Sequence, residues 1–169
     1  MTEAICESSF WKDLKSGRFA RMVREEVKGR TLKGPFEVFN IIKPLFAKND
    51  DVEKLYCLFL DTRNHILGIE KLFTGTLTNA TVYPREIVKR VLDLKAGAVV
   101  MVHNHNSGDT EPSREDKEVT RKVAMALISI DVSLHDHIIV GKSYFSFSEK
   151  GLMEGITEEI NETISGHGI

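Results

Sequence analysis

Residues Leu55-Tyr56-Cys57-Leu58-Phe59-Leu60 form an apolar run with no polar break. A strand with one wet face alternates apolar and polar residues, so so short and unbroken a run predicts a strand covered on both faces. Ala98-Val99-Val100-Met101-Val102 has the same character. Two such strands need a layer above and a layer below. That points to an α/β (α+β) fold in which helices flank a mixed central sheet.

The neighbouring segments agree. Asp61-Thr62-Arg63-Asn64 is a turn cluster, and Ile66 to Phe73 returns as a second strand, which predicts a hairpin. Tyr83-Pro84-Arg85-Glu86 opens a helix with Pro84 near its first position, and Ile87, Val88, Val91 and Leu94 form its apolar face before Gly97. Ser113 to about Ile128 reads as a helix with Val119, Val123, Ala126 and Leu127 inward. Val132 to Val140 and Tyr144 to Phe147 read as strands around a Gly141-Lys142 turn.

Upstream, residues 9–29 read as a helix poor in apolar positions (Phe10, Leu14, Phe19, Met22, Val23), with Gly29 and Gly34-Pro35 at its exit. Phe36, Phe39, Ile42 and Phe46 predict a core-facing helix that ends near Pro44 and the Lys48-Asn49-Asp50-Asp51 cluster. After Met153 the chain has little to bury, and a frayed or partner-dependent tail is expected. The expected organisation is a helical, basic N-terminal extension (1–35), one domain (36–152) and an acidic, flexible tail (153–169).

A chain of 169 residues has room for one domain with a real core. Its net charge of −2 excludes polyanion binding by overall charge alone. The charge is uneven, however. Lys12 to Lys33 holds eight basic and three acidic residues, 8 − 3 = +5, which leaves −7 for the remainder. Such a stretch is a solvated helix face or a weak nucleic-acid or acidic-partner contact. The two cysteines cannot build a disulfide framework, and Cys57 lies inside an apolar run, in keeping with a reducing compartment. No charged leader precedes an apolar stretch, and no run approaches the ~20 residues of a membrane span. A cytoplasmic protein without membrane association is expected. The sequence does not set the oligomeric state.

The chemically informative segment is His103-Asn104-His105, followed by Ser107-Gly108-Asp109 and then Ser113-Arg114-Glu115-Asp116. Side chains alternate along a strand, so His103 and His105 point to one face and can converge on one ion. Asp116, one turn into the next helix, can face back toward them. Two neutral imidazoles and one carboxylate leave a bound Zn²⁺ with net positive charge and an open position for water, as catalytic zinc requires. Taken alone, two histidines ending a strand are more often structural. Ser113-x-x-Asp116 also fits a capping box, and Asp116 is not expected to serve easily as both ligand and cap. Ser-Gly-Asp at 107–109 is explained by a turn alone.

The pattern resembles that of JAMM metalloproteases, which carry H-x-H-P, a short loop and S-x-x-D, with an upstream glutamate beside a central strand. FLDTRNHILGIEKLFTGTL, YPREIVKR, HNHNSGDTEPSREDKEVT and LHDHIIVG resemble the RadC branch, from about Phe36 to Leu152. The resemblance implies a JAMM/MPN-like (cytidine-deaminase-like) fold and one Zn²⁺ per chain on His103, His105 and Asp116. It implies Glu53 as general base and Ser113 as oxyanion donor. The expected activity is that of a zinc-dependent hydrolase, a peptidase or isopeptidase acting on a peptide or protein substrate. The alternative is a DNA-associated binding or scaffold module, since RadC members often carry a DNA-repair label, with weak nucleic-acid contact through residues 12–33.

Two departures stand out. Asn106 replaces the family's proline, and no helix-hairpin-helix module is recognisable in residues 1–35. Glu70 competes with Glu53 for the upstream position but lies inside the second predicted strand. His137 matches a family motif read as supporting or core hydrogen bonding, and His65, His135 and His167 carry no signal. Arg114 and Glu115 are expected to be exposed. An HNH nuclease disperses its residues along a ββα unit, and a zinc deaminase needs H-x-E and P-C-x-x-C. Neither pattern is present.

Overall fold

The two unbroken apolar runs become neighbouring central strands. In this computed structural model, which describes residues 16–46, 52–75 and 82–166, β1 (Lys54–Leu60) lies between β2 (Ile66–Thr74) and β3 (Ala98–Asn104), antiparallel to both. β3 pairs parallel with β4 (Ser133–Val140), and β4 pairs antiparallel with the short β5 (Tyr144–Ser146). The sheet order is β2-β1-β3-β4-β5. Phe10, Leu14 and the Lys48–Asp51 cluster lie outside the described residues.

Every residue of β1 is buried, because the two faces of the sheet serve two separate cores. Leu55, Cys57 and Phe59 join Val99, Met101 and Ile139 on one face. There they meet α3 (Pro84–Leu94), α4 (Arg114–Ile128) and α5 (Leu152–Gly166). Tyr56, Leu58 and Leu60 join Val100, Val102 and Ile138 on the other face, under α1 (Arg18–Glu26) and α2 (Pro35–Ile42). Fully burying one such side chain contributes about 1.5–3 kcal/mol, so both layers add materially to stability. This is the flanked mixed sheet expected from the two runs.

Parallel neighbours need a crossover, and α4 supplies it between β3 and β4. The loop leaving β3 and the N-terminus of α4 therefore meet at the carboxyl end of β3. In open sheets of this kind that crevice is where ligands gather.

Two expectations are corrected. Phe36 is 63% exposed rather than core-facing. The inward stripe of this segment is Val38, Ile41, Ile42 and Leu45, at helical spacing, and Phe36 lies outside it. The region after Met153 is a helix, not a frayed tail. Its few apolar residues fall at helical spacing, so that Met153 and Ile160 are buried and Ile156 packs beside them. Arg121 of α4 also pairs with Glu159 at 2.8 Å. Among the described residues, no helix is long and apolar enough to cross a membrane.

Candidate metal centre

His103 is the penultimate residue of β3 and His105 follows the strand's end. Alternation puts the rings on one face, with centroids 4.7 Å apart in an edge-on arrangement. Asp116 sits in the first turn of α4 and is fully buried. The three residues can each offer one ligand atom within 4.8 Å of the others.

Asp116 has an oxygen for each of the two tasks that the sequence set against each other. Oδ2 is the cap: it accepts the Ser113 backbone N–H at 2.7 Å and the Ser113 hydroxyl at 2.7 Å, while Ser113 Oγ accepts the Asp116 N–H at 3.0 Å. Oδ1 is buried without a hydrogen-bond partner. Ser113's single hydroxyl proton is thus committed to Asp116.

The remaining atoms fit a cation. Both nitrogens of His103 are buried without a partner, and such groups cost roughly 1–3 kcal/mol each when left unpaired. His103 Nδ1 faces Asp116 Oδ1 at 3.4 Å, and its Nε2 faces Glu53 Oε2 at 3.8 Å. His105 Nδ1 lies 2.8 Å from the Asp109 carbonyl oxygen, which can only accept. In the neutral ring the proton is therefore on Nδ1. Nε2 then presents a lone pair to Asp116 Oδ2 at 3.2 Å, which is repulsive unless positive charge lies between them. A ligating histidine is commonly held in this way, by a carbonyl on its far nitrogen.

The ionisation states of His103 and Asp116 agree with this reading, while His105 without the ion leans toward its protonated form. Burial lowers the His103 pKa to about 4, against the attraction of Asp116, so the ring is neutral at physiological pH as a ligand must be. His105 is raised by its Asp116 contact, partly offset by burial. Burial pushes the Asp116 carboxyl up, but His105, His103 and the Ser113 donors together hold it well below the usual carboxylate range.

Glu53 immediately precedes β1, and the strand register sets Leu55 opposite His103. Its carboxylate reaches the edge of the cluster, as the 3.8 Å contact shows. Glu70 does not come near: on β2 it is clasped by Arg90 through Nε at 2.7 Å and through Nη2. Arg114 and Glu115 are exposed.

Several supporting residues had escaped notice in the sequence. Asn104 points away from the two histidines, and its Oδ1 accepts the Lys54 N–H at 2.7 Å, which pins the residue after Glu53 to the end of β3. Thr120 lies one turn after Asp116, and that spacing on one helix face was the available signal. Its hydroxyl is 2.5 Å from the Asp116 carbonyl oxygen and 2.6 Å from His137 Nδ1. Donation to the carbonyl leaves Thr120 accepting from Nδ1–H, so His137 Nε2 is a bare, buried lone pair. Burial holds His137 at a pKa of about 3.

The loop after His105 is a β-turn closed by Gly108 N–H donating to the His105 carbonyl at 3.0 Å, with Gly108 at φ 79°. Asn106 is the second residue of that turn, a position that suits proline. Here Asn106 Oδ1 accepts instead from Asn104 Nδ2 at 3.0 Å.

Comparison with known proteins places these observations in a family. The family model described as a RadC-like JAB domain matches residues 32–152. A UPF0758 protein of Ralstonia pickettii is 49% identical over 135 residues, 79% of this chain and 60% of the relative. UPF0758 proteins of Ralstonia nicotianae and Thiobacillus denitrificans are 44% and 42% identical, over 79% and 78% of this chain and 60% and 59% of their own lengths. The chain spans about half the length of the curated relatives it matches, between 44% and 60% in these comparisons.

Proposed function

The chain belongs to the RadC-like JAB domain family, and from that premise we propose that it is a zinc-dependent hydrolase acting on peptide or isopeptide bonds. The observation that carries this reading is a cluster of two imidazoles and an unpartnered carboxylate oxygen, with a further carboxylate, Glu53, 3.8 Å from His103. A binding module has no need of the last group.

His103, His105 and Asp116 would hold the ion. When bound, zinc supplies a Lewis acid that acidifies water and polarises a carbonyl. Glu53 takes the proton of the attacking water and returns it to the leaving amine, a role general bases of this kind fill in hydrolysis. The Asp109 carbonyl fixes the His105 ring, and Ser113 fixes Asp116. Ser113 can donate to a developing oxyanion only by releasing its hydroxyl from Asp116 Oδ2. Its oxyanion role therefore requires an exchange of partners during turnover. The buried Cys57 thiol, pushed up by burial, accords with a cytoplasmic setting.

Elemental analysis of the wild type and His103→Ala, alongside a screen of peptide and isopeptide libraries, tests the reading. About one zinc per chain in the wild type, lost in the variant, with hydrolysis that tracks the metal, is expected. Equal metal in both would end it.

A second reading, weak contact with nucleic acid, also has one observation behind it. Arg21, Arg24 and Lys28 share a groove of about 640 Å³ with Lys71 and Arg90, against only Glu25 and Glu70. Any such binding is expected to be sequence-independent and to fall steeply between roughly 50 and 200 mM salt. Sequence-specific binding that survives high salt would favour the DNA-associated module.

A further inference from the structure

Beside the metal cluster runs a groove of about 630 Å³ with His105 in its wall. Lys43 and Lys142 both line it, together with the amides of Asn40, Asn104 and Asn106, and no carboxylate of the described residues lines it. Neither cation is a loosely placed surface lysine. The Lys43 ammonium lies 5.2 Å from the centre of the Phe39 ring. Lys142 is laid across the metal-side loop: a Cβ added at Gly108 would meet its Cγ at 3.4 Å. Its backbone N–H donates to the Gly108 carbonyl at 3.3 Å. Gly141 makes this seating possible, since any side chain there would come within 2.8 Å of the Gly108 carbonyl carbon. The β4–β5 turn is thereby held against the loop that carries His105.

Asn40 of the groove belongs to α2 and Lys43 to the turn that follows it. Phe36, Asn40 and Lys43 follow at helical spacing, a face about 10 Å long at 1.5 Å per residue. The exposed Phe36 ring stands 6.4 Å from that of Tyr144 on the edge strand β5. An extended chain laid here meets amides for its backbone, an apolar rest at one end and two ammonium groups next to His105.

We infer that this groove binds an extended peptide with an acidic side chain next to the bond to be cleaved, Lys43 and Lys142 flanking that carboxylate. The inference rests on the proposed peptidase reading and deepens it by naming a substrate class. Both lysines are exposed and outside the metal cluster, so their replacement removes no buried side chain and no ligand.

Calorimetric titration of the zinc-supplemented full chain with terminally capped octapeptides of Ala and Gly, carrying Asp, Ala or Lys at the centre, is the test. The Asp peptide is expected to bind about tenfold more tightly than the Lys peptide, the scale of two half-exposed ion pairs. Lys43→Ala/Lys142→Ala should abolish that preference, and Lys43→Glu/Lys142→Glu should invert it, with unchanged melting temperatures. A preference that survives these substitutions, no preference, or no binding of any peptide overturns the inference. Binding is read without turnover. Selective binding of the acidic peptide by a protein that cleaves nothing would therefore sustain the groove and defeat the peptidase reading. Cleavage indifferent to charge would do the reverse.

Discussion

Asp116 and Asp136 are both buried against the central sheet, on opposite faces, and they are held in opposite states. Asp136 on β4 has both oxygens bonded, Oδ2 by the Ser146 hydroxyl at 2.6 Å and Oδ1 by the Ser148 N–H at 2.9 Å. Burial nevertheless lifts its pKa to about 6. Asp116 is buried too, yet it is held far below its ordinary value while one of its oxygens has no partner. Burial alone favours the neutral carboxyl, and a few neutral donors do not reverse it. What differs around Asp116 is the pair of imidazoles. His105 lowers the Asp116 pKa by donating to the carboxylate and His103 by attraction in its charged form, so the Asp116 pocket calls for positive charge between carboxylate and rings, whereas the surroundings of Asp136 are complete as they stand.

The hardest test of that contrast is substitution at the two positions. Asp116→Asn removes a charged ligand and is expected to weaken zinc binding by more than the ~10–100-fold typical of losing a supporting residue. Asp136→Asn should leave it unchanged. Competition with a chromophoric chelator reads both affinities, and equal losses would break the distinction between the two regions.

The next effect concerns turnover at the Asp116 side. Glu53→Gln keeps the size and an acceptor oxygen but cannot carry a proton. It should retain the metal and lose ~10²–10⁴-fold in kcat. Glu70→Gln breaks the Arg90 clasp and should cost stability while leaving kcat intact. The reverse outcome in a steady-state assay would move the base from Glu53 to Glu70 and leave the metal cluster standing.

The two regions should also oppose each other in the pH dependence of the metal-free protein. Asp136 has a raised folded pKa, so its contribution is present below about pH 4 and is lost as pH rises toward about 6. His103 and His137 are depressed to about 4 and about 3. The unfolded chain therefore binds their protons first, and their contribution is lost as pH falls below about 6.5. Between pH 4 and 6 the depressed histidines, His135 among them, act against one carboxyl, so stability should rise with pH. In Asp136→Asn the slope should steepen by about 1.4 kcal/mol per unit, the contribution of one proton. Urea melts in the presence of a chelator measure both slopes. A variant slope no steeper than that of the wild type would show that Asp136 titrates normally.

The smallest effect is expected in the turn of the metal-side loop. Asn106→Pro gives up the Asn104 contact but restricts the unfolded chain, and it should raise stability by ~0.4–1 kcal/mol, or about 1–4 °C in Tm. A lowered Tm would mean that the backbone at residue 106 is not that of a standard turn.

Much of this architecture was legible along the chain. The unbroken runs at 55–60 and 98–102 could only be strands with two dry faces, and they are the neighbouring strands β1 and β3. His103, His105 and Asp116 could be named because strand alternation and one helical turn allow them to meet and the motif resembles that of JAMM metalloproteases, and the structure brings the three together. Where expectation failed, the cause was competition between alternative faces. Phe36 looked inward until Val38, Ile41 and Ile42 claimed that side of α2, and the tail looked empty until Met153 and Ile160 found a groove beside α4.

The sequence by itself therefore determined the elements, the layered sheet and the three residues of the metal cluster. The elements and layers follow from periodicities of two or 3.6 residues that short-range sterics impose, and the metal trio from those periodicities together with the resemblance of its motif to a known family. Only the tertiary structure decided how Asp116 divides its oxygens between cap and cluster, that Glu53 and not Glu70 stands beside His103, and that Lys43 and Lys142 line one groove. Those outcomes depend on which strand end meets which helix start. They join residues up to about a hundred positions apart, a relation no local period can encode, and they arise only when the sheet closes around its two cores.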